Sequence, residues 1–77
     1  MLQEIRLKKG LSQNQLARSC NIPLSTITKY EGGFANINNA KLETLLKLCL
    51  VLECRIEDII DNDDLKTLLE KYEGARK

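Results

Sequence analysis

The sequence predicts an all-α protein, on three observations. Apolar residues recur at helical spacing along most of the 77 residues, as in Leu65, Leu68, Leu69 and Tyr72. Glycine (4) and proline (1) are too few for an all-β or a disordered chain. Those breakers fall between the periodic stretches: Gly10, Pro23 and Gly32-Gly33 each stand where one helical pattern stops or another starts.

Residues 1–9 read as a first helix, with Leu2, Ile5 and Lys9 on one face and Arg6 beside them. Gly10 is its cap, and Leu11 is the apolar residue that commonly follows one. Residues 12–20 read as a second helix. Ser12 is a good N-cap, Gln15 completes a capping box, and Leu16 and Cys20 share a face. Asn21 ends this helix, because Asn tolerates the left-handed backbone of a helix terminus. Pro23 suits the first turn of a third helix reaching Gly32, where a missing N–H costs nothing. On that helix Ile27, Tyr30 and Glu31 fall on one side, and Leu24, Ser25, Thr28 and Lys29 on the other. Two short helices joined by a tight turn, the second with an outward polar face, have the shape of a helix-turn-helix.

Residues 34–39 form a polar loop with two expected apolar plugs, Phe34 and Ile37. A fourth helix runs from near Asn39 to Leu52, with Leu42, Leu45, Leu46, Cys49 and Leu52 as its core stripe. A short fifth helix covers residues 56–60, with Glu57 and Asp58 in the first turn, where they suit the helix dipole. Asp63 is the candidate N-cap of a last amphipathic helix reaching Tyr72. Its stripe of Leu65, Leu68, Leu69 and Tyr72 either folds onto the chain's own core or meets the same helix of a second copy. The end, from Gly74, is expected to fray. The division is a domain at residues 1–61 and an extension at 62–77, a candidate dimerisation segment.

Composition narrows the function classes. There is no apolar run of roughly 18 residues, so no membrane span is expected, and no signal-peptide pattern opens the chain. Cysteines 20, 49 and 54 are odd in number and lack a CxxC; with no histidine, neither a disulfide framework nor a zinc site is expected. Buried thiols in a reducing cytoplasm fit better. No cofactor is expected. An enzyme is disfavoured as well: no cysteine has a base placed by sequence, and Glu57, Asp58, Asp61, Asp63 and Asp64 read as helix-end and loop charges. Net charge is only +1, but residues 1–47 carry seven basic against three acidic groups, while residues 48–77 carry five against eight. Such a split can turn one positive face toward nucleic acid.

Three stretches together resemble the Cro/C1-type helix-turn-helix family, also called lambda-repressor-like. They are Ile5-Arg6-x2-Lys9-Gly10-Leu11-Ser12-Gln13-x-Gln15-Leu16-Ala17, Ser25-Thr26-Ile27-x-Lys29-Tyr30-Glu31-x-Gly33, and Leu42-Glu43-Thr44-Leu45-Leu46-Lys47-Leu48. The resemblance covers about residues 2–60. It implies a compact bundle of five short helices that binds duplex DNA sequence-specifically, most often to repress transcription. It implies DNA contacts from Ser12 and Gln13 at the start of helix 2, and from Leu24, Ser25, Thr28 and Lys29 on the recognition helix. It also implies an ion pair between Arg6 and Glu31, and a small Ala17 where helices 2 and 3 approach.

Three departures stand out. Pro23 replaces the usual Ser or Thr cap, Glu53 replaces the usual Gly after helix 4, and the loop at 34–39 lacks basic residues. Phosphate contacts there would fall to Asn36, Asn38 or backbone N–H groups. One such module reads only a few base pairs, so a homodimer on two half-sites is expected. Its candidate surfaces are Leu50, where relatives carry a charge, and Leu65, Leu68, Leu69 and Tyr72. The alternative reading is an antitoxin or adaptor whose main partner is another protein.

Overall fold

The computed structural model describes residues 2–75. Six α-helices follow one another among the described residues: α1 (Leu2–Lys8), α2 (Gln13–Cys20), α3 (Leu24–Glu31), α4 (Leu42–Leu52), α5 (Ile56–Ile59) and α6 (Asp63–Ala75). A single 3-10 turn, Ile37–Asn39, precedes α4. The fold is all-α, with no strand among the described residues.

The core gathers one face from each of the first five helices. Leu2, Leu16, Ile27, Leu45, Leu48, Leu52, Ile59 and Ile60 are buried, and Ile5, Tyr30 and Ile37 pack partly buried against them. α2 lies against both α3 and α4, while α1 bridges α3 and α5. The buried thiol of Cys20 on α2 donates to the Lys47 carbonyl of α4 at 3.6 Å.

Four features differ from the sequence expectation. First, α4 begins at Leu42 because residues 36–40 close the 3-10 turn instead, with Asn36 Oδ1 accepting from the Asn38 N–H at 3.0 Å. Second, α4 is rotated about its axis. Leu48 is fully buried, whereas Leu42 and Leu46 are exposed. The helix is apolar over nearly its whole circumference, so spacing alone does not choose its inner face; contact with α2 and α5 does. Third, Phe34 is no plug. It is 86% exposed, its ring lying over Gly32, where a Cβ would come within 2.9 Å of it. Fourth, Asn62 rather than Asp63 caps α6, its Oδ1 accepting from the Leu65 N–H at 2.9 Å. That cap sets the helix one residue earlier, and it continues past Tyr72 to Ala75.

α6 is tied down at both ends. Leu65 packs against the core, and Arg55 reaches Glu73 at 3.6 Å as well as Glu57 at 3.1 Å. Glu53 after α4 takes the left-handed backbone (φ 52, ψ 48) that glycine would hold without strain, and pairs with Lys9 of the α1–α2 turn.

Candidate nucleic-acid interface

The outward-facing unit is α2, the turn and α3. A reciprocal capping box opens α2: Ser12 Oγ accepts from the Gln15 N–H at 3.0 Å, and Gln15 Oε1 accepts from the Ser12 N–H at 2.8 Å. Asn21 closes it in the left-handed region (φ 57, ψ 46), its N–H donating back to the Ala17 and Arg18 carbonyls. The chain then turns directly into α3. Pro23 stands one position outside that helix, as its N-cap, and no side chain caps it. Leu16, Ala17 and Ile27 are buried between the two helices. Ala17 leaves the room for their close approach.

A hydrogen-bonded cluster fixes this unit to α1. Arg6 donates through Nε to Glu31 Oε2 at 2.7 Å, through Nη2 to Glu31 Oε1 at 2.8 Å, and through Nη1 to the Leu11 carbonyl at 2.8 Å. Gln13 Nε2 donates to Glu31 Oε1 at 2.9 Å. Arg6 is buried, and the Glu31 side chain is only 3% exposed. Burial pushes the Glu31 carboxyl up, but the hydrogen bonds from Arg6 and Gln13 and the Arg6 charge outweigh it and hold the carboxyl below its ordinary value. The cluster joins α1, the first residue of α2 and the last residue of α3. The Gln13–Glu31 bond has no signal in the sequence, because the two residues lie 18 apart. It holds one end of an amide expected to reach for DNA.

The face so framed carries Leu24, Ser25, Thr28 and Lys29, all exposed. Leu24 is 40% exposed and does not turn inward onto α2. Thr28 Oγ1 donates to the Ser25 carbonyl at 3.0 Å, so its proton is engaged within the helix and its oxygen remains an acceptor. With Asn14, Arg18 and Asn21, Leu24 lines a shallow hollow at the turn. Lys9 and Lys47 pair with Glu53 and Glu43, whereas Lys8, Arg18, Lys29 and Lys41 are exposed and in no ion pair among the described residues.

The loop asparagines tie the loop to the rest of the chain. Asn38 Oδ1 accepts from the Asp61 and Asn62 N–H groups at 2.9 and 3.1 Å, and its Nδ2 donates to Asn36 Oδ1 and Asp61 Oδ1 at 2.8 and 2.6 Å. That saturates the Asn38 amide and clips the 3-10 turn to the α5–α6 connection. Asn36 Oδ1 is engaged in the same turn. Asn38 Nδ2, the group that would donate to a phosphate, is thus taken up within the protein, whereas Asn36 Nδ2 takes part in none of these bonds. Beside them, an open groove is rimmed by Glu4, Phe34 and Asp61, and its carboxylates suit it poorly to a phosphate backbone.

The candidate contact surfaces divide. Leu50 is 79% exposed, and Leu68 and Tyr72 are also exposed. Leu65 is turned onto the chain's own core, contrary to its expected place in an interface, because the Asn62 cap and the start of α6 hold it there. Leu69 is half-buried.

A capped helix, a tight turn and a second helix with an exposed polar face, all locked from behind, define a helix-turn-helix protein. Residues 2–59 match the family described as Helix-turn-helix, and the chain belongs to that family, of the Cro/C1 type. Its members are DNA-binding regulators of transcription, and that general role holds for this chain. Searches of curated proteins and of solved structures each found no match. Among the described residues no helix is long and apolar enough to cross a membrane.

Proposed function

We propose that this chain is a cytoplasmic, sequence-specific repressor that binds duplex DNA as a homodimer. The observation that carries this reading is the exposed set Leu24, Ser25, Thr28 and Lys29 on a helix whose opposite face, at Ile27, is sealed in the core. A rigid helix with that face fits the major groove, which admits one α-helix and displays a distinct pattern at each base pair.

Lys29 reaches guanine O6 and N7 or a phosphate. Ser25 donates or accepts at a base edge, and Leu24 and the Thr28 methyl meet thymine methyls. Ser12 and Gln13 contact the backbone at the start of α2, with Gln13 steadied by Glu31. Lys8, Arg18 and Lys41 add salt-dependent attraction to phosphates. Two copies reading half-sites about one helical turn apart supply the specificity one module lacks. Leu50, Leu68 and Tyr72 are the exposed apolar groups that support a dimer contact, with Leu69 at its edge.

Selection of bound sequences from a random duplex library tests the reading. A palindromic or directly repeated site is expected. Replacing Ser25, Thr28 and Lys29 together by Ala should abolish specific binding while the helical signal is unchanged. Unaltered affinity for the selected site would show that α3 is not the reader. Light scattering at tens of micromolar should give a dimer; a strict monomer with and without DNA would remove the dimer from the proposal.

A further inference from the structure

The turn that ends α4 sets two cysteines against each other. Glu53 takes the left-handed backbone, and the Cys54 N–H donates across it to the Cys49 carbonyl at 3.2 Å. In this kind of helix terminus, the residue about one turn before the left-handed position and the one just after it meet side chain to side chain, ordinarily as an apolar contact. Here both are thiols, brought to the two sides of one left-handed turn. Both are half-buried against the core, while Cys20 is engaged elsewhere, on the Lys47 carbonyl.

We propose that Cys49 and Cys54 are a modification site, a dithiol that closes reversibly into an intramolecular disulfide by exchange with a small-molecule disulfide such as oxidised glutathione. The Cys54 thiolate attacks one sulfur of the small disulfide, forming a mixed disulfide and expelling one small thiolate, which takes up the proton Cys54 gave up. The Cys49 thiolate then attacks the Cys54 sulfur and expels the second small thiolate, which takes the Cys49 proton. The protein loses two electrons and two protons, and the small disulfide becomes two thiols.

Burial pushes the Cys54 thiol up and Asp58 adds to it, but the neighbouring Cys49 thiol and the Lys9 ammonium partly offset the rise; Cys49 has no such relief, so Cys54 acts first. Burial, Cys54, Asp58 and Glu57 push Cys49 up to about 12, which makes the closing step slow at neutral pH and faster in base. Among the described residues no group of three ligating side chains that could hold a metal ion exists. A disulfide is neutral, so the burial and the carboxylates that oppose thiolates at this turn do not oppose it.

The test equilibrates the whole folded chain with mixtures of reduced and oxidised glutathione, quenches with acid, unfolds and alkylates it, and maps the products by mass. The expected product lacks two hydrogens, carries its one alkylatable thiol at Cys20, and forms at a glutathione ratio at least tenfold more reducing than the same chain requires in urea. Cys20→Ser should leave that ratio unchanged. Cys49→Ser should stop at a single glutathione adduct on Cys54. Three alkylatable thiols at equilibrium would overturn the proposal. So would a persistent mixed disulfide in the unsubstituted chain, or a bond involving Cys20 or a second copy. Circular dichroism of each variant confirms that it is folded when assayed.

Discussion

Replacing Glu31 by Gln keeps the volume of the side chain and one acceptor oxygen but removes the charge opposite Arg6. The guanidinium remains at 6% exposure, with the Leu11 carbonyl as its remaining strong partner. Removing one member of a buried ion pair costs about 3–5 kcal/mol, and the retained acceptor places Glu31→Gln at the lower end. A chain of this length holds roughly 4–12 kcal/mol in all, at about 0.05–0.15 kcal/mol per residue, so the loss is a large fraction of the total. At about 4–8 °C per kcal/mol the melting temperature falls by roughly 12–24 °C. Urea denaturation followed by circular dichroism reads the change. The double substitution Arg6→Met with Glu31→Leu should be more stable than Glu31→Gln alone, because no charge is then stranded and Gln13 can turn to water. A cost below about 1 kcal/mol for Glu31→Gln, or a double variant less stable than either single one, would refute the reasoning.

The Glu31 carboxyl is held below its ordinary value of 4.5, so its stabilising contribution is complete above that value and is lost as pH falls through the lower, folded-state value; urea midpoints measured from pH 6 downward should fall in that window, and the fall should be smaller in Glu31→Gln, where the Glu53 carboxylate beside Lys9 still contributes. The rotation of α4 predicts that Leu48→Ala costs about 2–5 kcal/mol and Leu46→Ala less than about 1 kcal/mol by chemical denaturation. Asn21→Gly should be nearly neutral, while Asn21→Val should cost about 1–2 kcal/mol, since the position holds φ 57. Lys29→Ala should lower the slope of log affinity against log salt by about 1 if its contact is to a phosphate, and relax preference at one base pair if it is to a base.

Much of the fold was legible because it is encoded within a turn or two of chain. Ser12 and Gln15 are three residues apart and find each other as a capping box, Asn21 takes the left-handed backbone more cheaply than most residues, and Gly10 ends α1 at φ 73. The outward side of α3 also followed from spacing, since Ile27 and Tyr30 left Leu24, Ser25, Thr28 and Lys29 on the other side. The candidate site was less legible where groups far apart in the chain compete for the same side chain. Asn38 reads as a loop polar residue until Asp61 and Asn62, 23 and 24 positions away, take its carbonyl oxygen. Gln13 reads as a helix-end amide until Glu31 takes one of its protons.

The amino-acid order alone determined the helices, their caps and the polar face of α3, because backbone hydrogen bonds and capping groups span only a few residues. Tertiary structure decided which side of α4 is inner, since a helix apolar nearly all round has no preferred face until α2 and α5 lie against it. It also decided that Leu65 turns inward while Leu68 and Tyr72 stay out, since the core that Leu65 packs against and the ion pair between Arg55 and Glu73 bring together residues distant in the chain.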